Sequence, residues 1–171
     1  PGAHRRVHRT GWPGLAWPIL VRPRLLEKDA KSLETIFLAM PDVLKREKQK
    51  RMLRDGINTP EFLAALKGFS DILDDANDRL CKSQYLAGSN VSLADFSLLP
   101  YLFVATLFSL DRMLWEGRGE LKQWYETLSR RPAYKDGLEG LYPAQKLESV
   151  KSLAKDLMAT SNLAGQEKII Y

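Results

Sequence analysis

Two histidines, His4 and His8, stand four residues apart, the spacing at which side chains on one helical turn could share a metal ion. Nothing near them supplies further ligands, and no metal site is expected. The single cysteine, Cys81, excludes an intramolecular disulfide and suits a reducing, cytoplasmic setting. It falls at the end of a helical pattern beside Lys82 and is read as structural. Asp71, Asp74, Asp75 and Asp78 are spread by helical geometry over an outer face, which makes neither a metal box nor an acid–base pair. Both histidines precede residue 10, so no Ser/His/Asp or Cys/His arrangement can be assembled from neighbouring motifs. There is no phosphate-cradling glycine loop and no zinc spacing. Lys45, Arg46, Lys48, Lys50, Arg51 and Arg54 crowd a short segment opposed by Glu47 alone. Such a run is normally a solvated helix face, although an anion or an acidic partner could use it.

The most informative polar pair serves folding. Ser92 and Asp95 have the spacing of a helix-capping box, in which the hydroxyl accepts from the amide three residues on and the carboxylate reaches back to the Ser92 amide. Val91 and Phe96 flank them at the spacing of a hydrophobic staple. The following run, Phe96 to Leu110, is apolar almost all round, as expected of a helix buried inside a bundle. Pro100 should cost it one hydrogen bond and bend it.

The remaining elements follow from periodicity. Of 171 residues, 44% are hydrophobic and 27% charged, ordinary for a globular chain with one core. The net charge of +5 belongs to residues 1–24, which hold five arginines and no acid. That stretch is dense in proline and is expected to be an irregular basic leader, pinned in part by Trp12 and Trp17. Leu25 to Arg54 should form two helical pieces broken at Pro41, with Leu33, Ile36, Phe37 and Met40 and then Val43, Leu44, Met52 and Leu53 on the apolar side. Thr59-Pro60-Glu61 starts a helix that runs to Leu80. Shorter helices are expected over Glu120–Arg130 and Pro132–Leu138, a last amphipathic one over Pro143–Met158, and a tail over 161–171. No stretch alternates as a strand does. The fold class is all-α, a helical bundle, with the domain spanning 25–160.

Tyr85-Leu86-Ala87-Gly88 followed by Ser92-Leu93-Ala94-Asp95, and later Leu121, Trp124, Leu128 and Arg131-Pro132-Ala133-Tyr134, together resemble the C-terminal helical domain of the glutathione S-transferase family. The first stretch is similar to that family's entry into its central helix, the second to its W…L…RPA signature. The resemblance covers roughly Leu25 to Gly140. It implies that thiol activation and glutathione binding belong to a thioredoxin-like domain, which residues 1–24 cannot be. This helical part would then supply an apolar wall for an electrophile, drawing on Phe37, Met40 and Tyr101. It would also supply a contact surface, for a homodimer or a partner protein, through its first two helices. Ser92 and Asp95 inherit a folding role. The alternative implied is a non-catalytic interaction module, as in translation-factor or tRNA-synthetase complexes. Neither a membrane nor nucleic acid is expected as partner.

Overall fold

The computed structural model describes residues 12–159, which form helices joined by short turns. In chain order these are α1 (Trp12–Leu20), α2 (Arg22–Leu26), α3 (Ala30–Leu38), α4 (Val43–Asp55), α5 (Pro60–Leu80), α6 (Leu93–Leu107), α7 (Asp111–Trp115), α8 (Gly119–Ser129), α9 (Pro132–Tyr134) continued by a wide π turn over Lys135–Glu139, and α10 (Ala144–Ala159). No strand occurs among the described residues; Tyr85 and Gly88 make an isolated antiparallel bridge that closes a tight turn, with Gly88 at φ +132°. The all-α architecture expected from the periodicity is the one observed. The histidine pair His4–His8 and the expected tail 161–171 lie outside the described residues.

The main departure from expectation lies at residues 12–24, which are helical, not irregular. Pro13 sits in the first turn of α1, where its missing N–H costs nothing, and Pro23 does the same for α2. Pro18 is inside α1 and should cost about 3 kcal/mol. Burial outweighs it. Leu15 and Ile19 are fully buried, each contributing about 1.5–3 kcal/mol. The Trp12 ring adds edge contacts to Phe69 and Tyr101 at 5.1 and 5.0 Å and stacks on Phe108 at 6.2 Å. Gly14 permits the close crossing of α1 on α5: a Cβ there would lie 3.2 Å from both the Ala65 Cβ and the Glu61 carbonyl.

α3 and α4 begin with Asp29 and Asp42 as N-caps, accepting from the amides of Ser32 (2.9 Å) and Lys45 (3.0 Å). α4 ends at Gly56, with φ +62°. There the Arg22 guanidinium, from the segment expected to be an irregular leader, donates to the Leu53 and Arg54 carbonyls at 2.8 and 3.4 Å and lies against Gly56. Val43 and Leu44 do not continue the apolar face as expected; they are 55% and 84% exposed. Met52, which is buried, lies about half a turn round the helix from Val43, so the first turn faces out.

α5 starts as expected, with Thr59 capping, and buries Phe62, Leu66, Phe69, Leu73, Ala76 and Leu80 along one stripe. Its polar side is not simply solvated. Asp74 receives a 2.7 Å bond from buried Arg118, whose other nitrogens reach the Ser70 hydroxyl at 2.6 Å and the Met113 carbonyl. Asn77 accepts from the Leu121 amide at 3.1 Å and so caps α8 from a neighbouring helix. α10 packs on α1 and α6, with Ala154 fully buried and Leu147, Val150 and Leu157 against the core.

Candidate functional site

The site is built outward from the start of α6. Ser92 caps that helix, its hydroxyl accepting from the Ala94 amide at 3.2 Å, and the expected capping box with Asp95 is formed. Asp95 is fully buried. Its Oδ2 accepts from the Ser92 amide and hydroxyl, both at 2.8 Å. Its Oδ1 does two things that the capping box alone does not imply. It takes the Leu86 amide of the preceding turn at 3.0 Å and the Trp124 indole N–H of α8 at 2.8 Å. One carboxylate thus ties the loop, α6 and α8 together, and every donor facing it is answered. Spacing in the chain could not reveal the Trp124 link. The available signal was that a buried indole requires an acceptor.

The helix so fixed is less completely buried than its composition suggested. Leu93 is 75% exposed and Phe96 49%, because they share an outward stripe with Ser97 and Pro100. Val91 packs against the core, whereas Phe96 faces a cavity of about 240 Å³. Leu99, Pro100, Leu128, Ala133, Tyr134 and Leu138 line the rest of it, with Arg131 as its charged member. Tyr134 is set by a 2.6 Å hydroxyl–hydroxyl bond to Tyr125 and by an edge contact with Phe103 at 5.9 Å. Burial raises both phenols above their ordinary pKa. For Tyr134 the bond to Tyr125 adds to the rise, and for Tyr125 the bond to Tyr134 opposes it. The Tyr134 hydroxyl is therefore neutral and engaged, and the cavity offers apolar contact with no free base or nucleophile.

None of the residues expected to form an electrophile wall lines the Phe96 cavity. Phe37 is buried but outside the main core cluster, and Met40 is half-buried at the turn after α3, its carbonyl accepting from Arg46 at 3.3 Å. Tyr101 packs against the core through Trp12, about a quarter turn round α6 from the Phe96 stripe. Its phenol is raised by burial. Cys81 is exposed, 4.0 Å from the Asn77 amide nitrogen. Among the described residues no three His, Cys, Asp or Glu side chains form a metal-binding group. No helix among them is long and apolar enough to cross a membrane.

The family model for the glutathione S-transferase C-terminal domain matches residues 15–132, which includes α1 from Leu15 onward. Three curated relatives, all from Arabidopsis thaliana, are similar in part. Glutathione S-transferase TCHQD is 33% identical over 92 residues, 50% of this chain and 35% of that protein. Glutathione S-transferase F13 is 36% identical over 69 residues, 40% and 31% of the two chains. Glutathione S-transferase F12 is 31% identical over 65 residues, 37% and 30%. The matched stretch thus spans about a third of the length of each of these relatives. No solved structure matches the chain significantly.

Proposed function

Because the chain belongs to the glutathione S-transferase C-terminal domain family, we propose that it is the helical half of a glutathione S-transferase-like protein. In this reading it lends an apolar wall and a contact surface, while a thioredoxin-like domain supplies glutathione binding and thiol activation. The observation that carries it is the outward stripe of α6. An otherwise buried helix leaves Leu93 and Phe96 bare beside an apolar cavity, as suits a surface that another domain or an apolar substrate covers. The cavity itself does not fit glutathione. That tripeptide carries two carboxylates and an ammonium group, against which the lining sets the single cation of Arg131 and no carboxylate. No chemical step is assigned to this chain alone.

Calorimetric titration tests the division of labour. Glutathione should give no micromolar binding to the 171-residue chain, and binding should appear once a glutathione S-transferase thioredoxin-like domain is fused ahead of it. Micromolar binding by the unfused chain would overturn the reading. The second reading, a non-catalytic interaction module, is favoured by a separate feature, the exposed Val43 and Leu44 and the surplus cations of α4.

A further inference from the structure

The cavity beside the α6 stripe is apolar apart from one unanswered charge. Leu99, Leu128 and Tyr134 are its buried floor, and Phe96 reaches the surface beside them. Gly137 contributes from the wide π turn, a kind of turn that recurs at functional sites. A Cβ at Gly137 would meet nothing within 4 Å, so no side chain fills the space there. The Tyr134 hydroxyl is occupied by Tyr125 at 2.6 Å. The one polar side chain left in the lining is Arg131. Its backbone is fixed between two floor residues: the Arg131 amide donates to the Leu128 carbonyl at 3.1 Å, and its carbonyl accepts from the Tyr134 amide at 3.0 Å. Its side chain is exposed and makes neither an ion pair nor a hydrogen bond among the described residues.

Resting on the reading of the α6 stripe as a surface that an apolar ligand covers, we propose that this cavity binds a small apolar monocarboxylate. The apolar body lies against Leu99, Leu128, Tyr134 and Phe96, and the carboxylate meets the Arg131 guanidinium. Volume sets the size. An engineered apolar cavity of about 150 Å³ takes benzene, so one of about 240 Å³ suits a two-ring aryl or a medium-length acyl body. Charge sets the class. A guanidinium fork matches a carboxylate through two parallel hydrogen bonds. Residues 130–139 carry three cations against two acids, Asp136 and Glu139, and neither acid lines the cavity. A neutral ligand would leave the guanidinium unused, and a second carboxylate would find no cation in the lining. With no free base or nucleophile present, the ligand is held and not transformed.

Isothermal titration of the full chain with naphthoate tests this, with naphthamide as the neutral isostere. Naphthoate should bind one to one, and naphthamide at least about tenfold more weakly. Arg131→Met should weaken naphthoate at least about tenfold and leave naphthamide unchanged. Phe96→Ala should weaken both severalfold. Both side chains are exposed, Arg131 makes no capping bond, and unchanged circular dichroism would verify that the variants fold. Equal affinity for the acid and the amide would overturn the inference, as would naphthoate binding that survives Arg131→Met. Tighter binding to a peptide with a free C-terminal phenylalanine would also overturn it, by making the occupant a protein terminus. Glutathione titration of the fused protein keeps the two levels of the reading apart. If the fusion takes up glutathione but the chain ignores naphthoate, the carboxylate site falls and the helical half stands; if neither ligand binds, both fall.

Discussion

Replacing Asp95 with alanine should be among the costliest single changes in the chain. The substitution strands four donors: the Leu86 amide, the Trp124 indole, and the Ser92 amide and hydroxyl. Ser92 is part-buried and can recruit water, so its loss resembles an ordinary capping defect of about 1 kcal/mol. The Leu86 and Trp124 donors are buried, and leaving each unanswered costs about 1–3 kcal/mol. The sum is roughly 3–7 kcal/mol, a large share of the 5–15 kcal/mol that typically holds a domain together. For a chain of this size the thermal midpoint should fall by roughly 10–20 °C. Asp95→Asn keeps one oxygen for Leu86 and Trp124 but turns an amide donor toward the Ser92 N–H, so its loss should be smaller, about 1–3 kcal/mol. Trp124→Phe removes the indole donor and leaves the carboxylate its other partners. Combined with Asp95→Ala it should show coupling of at least about 1 kcal/mol. Urea and thermal melts of wild type and the four variants measure all of this. An Asp95→Ala midpoint within about 3 °C of wild type, or strict additivity with Trp124→Phe, would refute the idea of a shared hub.

Three further outcomes are expected. Arg118→Lys should destabilise by about 2–4 kcal/mol in urea unfolding, because one ammonium cannot reach Asp74, the Ser70 hydroxyl and the Met113 carbonyl together; a loss below about 0.5 kcal/mol would show the guanidinium fork to be dispensable. Gly14→Leu should cost about 1–3 kcal/mol by forcing α1 off Ala65 and Glu61, and should make the segment around Trp17 more sensitive to protease; wild-type resistance would mean that α1 can shift at no cost. The Glu61 carboxyl is held below its ordinary 4.5 chiefly by its bond to Arg51. Its stabilising contribution is therefore present above about pH 4.5 and is lost as pH falls through the lowered value. The acid limb of a stability–pH curve should accordingly flatten in Glu61→Gln, and an unchanged limb would remove this pair from the account.

Local signals in the chain were reliable where one short segment decides the outcome. Thr59-Pro60-Glu61 and Ser92-x-x-Asp95 each start a helix because their bonds close within three or four residues. The stripe from Phe62 to Leu80 needed only a period. What escaped is tertiary. Residues 12–20 read as irregular because proline density is a local argument, yet the core seats Leu15, Ile19 and Trp12 firmly enough to overrule it. Leu44 was counted as apolar-facing, but which side of a short helix faces inward depends on Met52 and on where α2 docks. The wall residues Phe37, Met40 and Tyr101 came from a resemblance with no matching motif at those positions, and none of them lines the Phe96 cavity. Arg118 and Asn77 gave no signal, since Asp74 and Ser70 for the one and Leu121 for the other lie more than 40 residues away.

The placement of α1 has a consequence for how the chain is made. Its buried face rests against α5 and also against α10, whose first residue is Ala144. At ordinary elongation rates the last turn of α10 leaves the ribosome about 10–30 s after α1 has emerged. Through that interval Leu15, Ile19 and Trp12 have no complete seat, and α1 must wait, greasy and unsheltered, for α10. Synthesis of this protein therefore has a built-in vulnerable window, and a nascent-chain chaperone would find its target in α1.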